Sequence, residues 1–337
     1  MNADPHAPQF HILALSGGGY RGLYTATVLR TLEEFFGKPL ASHFDLICGT
    51  SAGGLLALGL AARIPAVDLQ SMFVEDGKRI FDSRGLIRKA LGKWVLAKHS
   101  SDGLKSVLVD RLGNRTIGDL EHRVLIPTVN CSTGKGQFFK TPHTPALASD
   151  HKRSLVDVGL ATAAAPTYFP MHRIDGEGTF ADGGLVGNSP GLFGLHEATQ
   201  VLRVGTETKI RVLAIGTMTL GATVRGSAKL DCGILRWRSK VFDLVMSAQE
   251  GAVDYMLKHA LGHDYLRIDD NATPEQSQDV ASLDSVTTGA TNVLLDRGAQ
   301  AARRTLGDPR LDVFKSHIAL SPTFYHGPNK TTESSTC

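Results

Sequence analysis

The chain has 337 residues, 42% apolar and 20% charged, and its 36 Lys and Arg against 33 Asp and Glu give a net charge of +3. Such a composition buries a large core and excludes wholesale disorder, and the near balance of charge excludes a dedicated nucleic-acid binder, so no nucleic-acid partner is expected. Four scattered cysteines, Cys48, Cys131, Cys232 and Cys337, form no C-x-x-C pair and suggest neither a disulfide framework nor a zinc cage. No metal or other cofactor is expected.

Met1–Phe10 is polar with two prolines and lacks the basic-then-apolar plan of a signal peptide. The longest apolar run, Gly53–Ala62, is too short to span ~30 Å of hydrocarbon. The expectation is a cytoplasmic protein that meets membrane only at its inner surface.

In chain order, Phe10–Leu15 is predicted as a strand ending in glycines, and Tyr24–Phe36 follows with helical spacing. Asp45–Cys48 is a second strand, running through Gly49-Thr50-Ser51-Ala52-Gly53-Gly54 into an apolar helix, Leu55–Ala62. Val124–Asn130 and Arg211–Ile215 read as further buried strands with a helix, Ser154–Ala164, between them. Gly134–Pro145 and Asp175–Pro190 read as loops, Phe242–His263 as a helix, Asp264–Ile268 as a strand and Gly289–Leu306 as the terminal helix. Alternating strands and helices predict an α/β fold with a mostly parallel sheet. No linker divides the chain, so residues 10–320 are expected as one domain, with an N-terminal tail over 1–9. The polar stretch 321–337 is expected to be a flexible tail.

Gly17-Gly18-Gly19-Tyr20-Arg21-Gly22 satisfies G-x-G-x-x-G between a strand and a helix. Backbone N–H groups at that helix start face an anion, either the pyrophosphate of a dinucleotide or the oxyanion of a tetrahedral intermediate. Asp45 lies at roughly the distance of a ribose-binding acid, but it precedes its strand rather than ending it. Gly49-x-Ser51-x-Gly53 has the strand-to-helix context of a nucleophile elbow, whose sharp turn exposes the serine hydroxyl; a capped helix start is the plainer alternative. Asp182-Gly183-Gly184 could place a carboxylate in a turn, or be an ordinary Asp-Gly turn. His196, His259, His263 and His317 all follow Asp182, so a Ser…Asp…His order remains open. His259 and His263 lie four apart on a helix without the glutamate of a zinc protease.

Ser16-Gly17-Gly18-Gly19-Tyr20-Arg21-Gly22, Gly49-Thr50-Ser51-Ala52-Gly53-Gly54 and Asp182-Gly183-Gly184 resemble, in order, the three motifs of the patatin-like phospholipase family. The resemblance implies a three-layer α/β/α sandwich and a lipid acyl hydrolase working through a Ser–Asp dyad. Ser51 is then the nucleophile and Asp182 its base; Gly17, Gly18 and Gly19 form the oxyanion loop, supported by Arg21. Gly22, Gly49, Gly53, Gly183 and Gly184 complete the motifs, and membrane phospholipid is the implied substrate. The opening Ser16–Tyr24 is also similar to patatin-like effectors of bacterial antiphage systems. That similarity implies an activating cyclic di- or trinucleotide and a homo-oligomer on activation. The alternatives are a constitutive housekeeping esterase, a dinucleotide-binding protein and a silent binding module.

Two basic stretches stand apart. Arg84, Arg88, Lys89, Lys93 and Lys98 interleave with apolar residues and Trp94 at helical spacing, as an anionic membrane surface, a lid or an ordinary surface helix would require. Arg225–Lys240, with Trp237, could touch a phosphate-bearing ligand or be a solvated loop.

Overall fold

A computed structural model describes residues 8–82, 96–218, 240–273 and 275–332. Arg225–Lys240 lies almost wholly outside the described residues, as does the 84–98 stretch except for its last residues.

Among the described residues eight strands form one sheet: β1 (Gln9–Leu15), β2 (Leu46–Gly49), β3 (Val124–Asn130), β4 (Lys135–Lys140), β5 (His172–Ile174), β6 (Gly178–Asp182), β7 (Lys209–Ile215) and β8 (Tyr265–Ile268). Five of them, in the order β3-β2-β1-β7-β8, are parallel. Helices cover both faces. On one side lie α1 (Gly22–Phe36), α2 (Ala52–Ala61), α3 (Ala66–Ile80), α4 (Asp102–Leu112) and α5 (Leu155–Thr162). The other face takes two helices that follow the one-turn α6 (Gly184–Gly187), namely α7 (Gly191–His196) and α8 (Lys240–Leu261). Burial on both faces explains why β1 reads as a continuous apolar run: Leu13 and Leu15 enter the first core, Ile12 and Ala14 the second. The fold is a three-layer α/β/α sandwich.

The sheet is mixed, because β4, β5 and β6 add antiparallel pairs at the β3 end. Two of these strands lie where the sequence reads as loop, and β5 was not anticipated. β4 falls inside Gly134–Pro145; its KGQFFK sequence alternates weakly, since only Phe139 is buried, and it returns from β3 through a turn with Gly134 at φ 70°. β6 falls inside Asp175–Pro190, where Gly178, Gly183 and Gly184 mask a five-residue strand.

One feature of β3 positions the site. β4 pairs along it from Leu125 to Asn130, so β2 and β6 must divide its other edge. β2 pairs opposite Val124 and Leu125, and β6 opposite Thr128, Val129 and Asn130. Running in opposite directions, β2 and β6 therefore end nose to nose beside the middle of β3.

After the one-turn α9 (Gln276–Asp279), α10 (Thr288–Thr305) is not the terminal helix. α11 (Pro309–Ser316) follows, started by Pro309 and by the Asp308 side chain accepting the Arg310 N–H. Residues 322–332 hold no helix or strand, yet Phe324 is buried, the Tyr325 N–H donates to Pro142 O at 2.8 Å and Asn329 Nδ2 to Leu120 O at 3.1 Å.

Candidate active site

Ser51 stands between the end of β2 and the start of α2 with φ 53°, a left-handed conformation that a side chain adopts only at a cost of order 1–3 kcal/mol. The glycines around it permit the turn. A Cβ on Gly49 would run into Gly53 O, and one on Gly53 into Leu15 O, the strand next door. The Ser51 N–H is held by Thr162 Oγ1 at 3.0 Å, and that hydroxyl donates to Pro127 O at 2.8 Å, so β3 and α5 brace the elbow from behind.

Asp182 ends β6 and meets this turn head on. The Ser51 hydroxyl donates to Asp182 Oδ2 at 2.7 Å, and the Gly184 N–H donates to Oδ1 at 2.7 Å. The N–H groups of Asp182 and Gly183 are tied to Ala164 O and Thr162 O. Asp182 is 1% exposed, and burial pushes its carboxyl up to about 6 against the opposing pull of the Ser51 and Gly184 hydrogen bonds. A carboxylate so placed is a far better proton acceptor near neutrality than an ordinary aspartate.

The glycine loop borders the same cleft. Gly17 does not offer its N–H, which donates to Asn188 O at 3.1 Å. Among the described residues no acceptor takes the N–H groups of Gly18 and Gly19. Gly19 sits at φ 58°, where a side chain would also strike Leu283 O, and that carbonyl accepts the Tyr20 N–H. Arg21 follows, its charge felt by Glu250, and Gly22 opens α1 against Ala52 and Phe73. The cleft itself is apolar, walled by Leu55, Phe73, Ile80, Phe81, Phe169 and Leu283. It is partly open to the surface, with Ser51 and Asp182 among its lining residues.

The other candidates fall elsewhere. His196, His259 and His263 are exposed, and none of the three bonds Ser51 or Asp182. His317 pairs with Asp45 Oδ2 at 2.8 Å, and the same oxygen accepts the His11 N–H. Asp45 is thus committed at the opposite end of the sheet from the glycine loop, which removes the ribose-binding acid from the dinucleotide reading. Sequence reasoning missed Thr162, Asn188, Thr217 and Glu250, all buried behind the loop or the elbow.

A serine hydroxyl on a buried aspartate, at a strained turn above a parallel sheet, is an arrangement that fits a hydrolase. More narrowly, the chain belongs to the patatin-like phospholipase family, whose model matches residues 13–192. It is 63% identical to a Pseudomonas aeruginosa protein named cGAMP-activated phospholipase, over 98% of this chain and 99% of that one. Proteins of the same name from Vibrio cholerae and Escherichia coli are 37% and 34% identical. Those two matches cover 87% and 88% of this chain, and 90% and 89% of the relatives.

Proposed function

We propose that the chain hydrolyses fatty-acyl esters of membrane phospholipids through Ser51 and Asp182, and that a cyclic dinucleotide of the cGAMP kind switches it on. The 2.7 Å Ser51–Asp182 hydrogen bond beside an apolar cleft carries the chemistry. Ser51 Oγ adds to the ester carbonyl while Asp182 Oδ2 takes its proton, and the N–H groups of Gly18 and Gly19 receive the oxyanion. Collapse of that intermediate breaks the bond to the lysolipid oxygen, which leaves with the proton held on Asp182. Water, deprotonated by Asp182, then attacks the acyl-enzyme, and the fatty acid departs as Ser51 regains its proton.

Activation rests on the names of the relatives, each called a cGAMP-activated phospholipase. In this reading the chain exchanges between a resting and an active form, and the activator binds the active form better. Moving such an equilibrium from 1:99 to 99:1 takes ~5.5 kcal/mol of differential binding. Assembly into a homo-oligomer belongs to the active form in this reading. In this reading the work is done at the inner membrane surface. No helix among the described residues is long and apolar enough to cross a membrane. The exposed Met171, Leu185 and Val245 lie within three residues of Phe169, Asp182 and Met246, which line the cleft.

The test is fatty-acid release from phosphatidylethanolamine–phosphatidylglycerol vesicles, with elution volume followed in parallel. Little release without ligand, a large increase and earlier elution with cGAMP, and no release from Ser51→Ala are expected. Full activity without ligand and no response to cGAMP would leave a constitutive esterase; release by Ser51→Ala would remove the dyad.

A further inference from the structure

We propose that Asn188 and Glu250 are positioning residues of the oxyanion hole, a hydrogen-bond relay that runs from α8 to the carbonyl of Gly17. The inference rests on the oxyanion role given above to Gly18 and Gly19. Its physical basis is the planarity of the peptide bond: the C=O of Gly17 and the N–H of Gly18 belong to one rigid unit and point opposite ways. Whatever holds that carbonyl therefore aims that N–H.

Three glycines in a row leave no side chain to resist rotation of this peptide. Hydrogen bonds must do so. The Gly17 carbonyl accepts from Asn188 Nδ2 at 3.0 Å and from Thr217 Oγ1 at 3.1 Å, and the Gly17 N–H donates back to Asn188 O. The second N–H of the Asn188 amide goes to Glu250 Oε1 at 2.9 Å. Two acceptors on one nitrogen fix which way the amide faces, because only the NH2 end can serve both. Asn188, Thr217 and Glu250 are each no more than 5% exposed, so water does not substitute for any of these bonds. Glu250 is in turn steadied by the charges of Arg267, with Nη2 3.9 Å from its Oε2, and of Arg21. The relay links the oxyanion loop to the 22-residue α8 without touching Ser51.

The experiment measures kcat and KM of the full chain on a soluble fluorogenic acyl ester with cGAMP present, together with the inhibition constant of an acyl trifluoromethyl ketone. That ketone forms a hemiketal oxyanion with a catalytic serine. Asn188→Leu should lower kcat by about 10- to 100-fold and weaken the ketone in proportion, with KM within about threefold, because the donors act in the transition state. Thr217→Val, a near-isosteric change that should leave folding intact, should do the same by about three- to tenfold. Glu250→Leu should match Asn188→Leu, and the double variant should lose little more than either single one, as members of one relay do. Unchanged kcat in Asn188→Leu and Thr217→Val, a loss confined to KM, or additive losses in the double variant would each overturn the relay. Ser51→Ala separates the two readings: if it keeps hydrolysing, the site assignment fails; if it is dead while the relay variants are normal, only the relay fails.

Discussion

At the scale of single residues, the decisive group is a carboxyl that would be more stable uncharged. Burial raises Asp182 from 3.8 to about 6, so holding it ionised at neutral pH costs the fold roughly 3 kcal/mol at 1.36 kcal/mol per pH unit. The sign follows from the raised folded value. The protonated form contributes stability that is complete below the unfolded pKa and lost as pH rises through about 6. Asp182→Asn keeps an acceptor for the Gly184 N–H and replaces the oxygen that accepts the Ser51 hydroxyl with an amide donor, while removing the charge. It should therefore melt higher than the parent at pH 8, with the difference shrinking between pH 6 and pH 4, and it should not hydrolyse esters. Parent kcat/KM should rise through a midpoint near pH 6 and stay flat above it. A variant that melts lower at pH 8, or a parent profile with no acid limb, would contradict this account of the site.

At the scale of elements, the site is an outcome of strand pairing. Ser51 and Asp182 are 131 residues apart and meet because β2 and β6 share one edge of β3 from opposite directions. The elbow was legible, since Gly49-x-Ser51-x-Gly53 follows an apolar strand and precedes an apolar helix. The path of Asp182 was not: Gly178-Thr179-Phe180-Ala181-Asp182 carries too little alternation to announce a strand, and its partner β3 lies some fifty residues upstream. Thr162 was illegible for another reason. It sits within a helix whose spacing was plain, and nothing local marks a hydroxyl that braces a turn elsewhere. Thr162→Val should leave the Ser51 N–H unpartnered at a cost of about 1–3 kcal/mol and should lower kcat, whereas Thr162→Ser should recover most of both. Thermal melts and ester kinetics on the two variants check it; equal behaviour of Val and Ser would show that the hydroxyl is idle.

At the scale of the whole molecule, the parallel strands deliver their C-terminal ends to one side, where the glycine loop and elbow lie, and leave Asp45, His11 and His317 at the other. That polarity separates the candidate site from scaffolding, and part of it is legible in the sequence, where Asp45 precedes its strand while the glycine loop and the elbow follow theirs. The end of the chain was less legible. Its polar, turn-rich composition suggests fraying, yet Phe324 is 3% exposed and the backbone around it bonds to Pro142, so a single aromatic outweighs the character of its neighbours. Phe324→Ala should cost about 3–5 kcal/mol and lower Tm by several degrees, with the kinetics of the folded protein unchanged. An unaltered melt would show that this segment contributes nothing to the fold.

Covalent labelling distinguishes a Ser51 made nucleophilic by Asp182 from an inert one. An activated serine oxygen bonds to the phosphorus of a fluorophosphonate probe and expels fluoride to solvent, and peptide mass spectrometry then locates the adduct. The account predicts one adduct, on Ser51, formed at least about 100-fold more slowly in Asp182→Asn and absent in Ser51→Ala. Labelling of another residue, or labelling of Ser51 at the parental rate in Asp182→Asn, would contradict it.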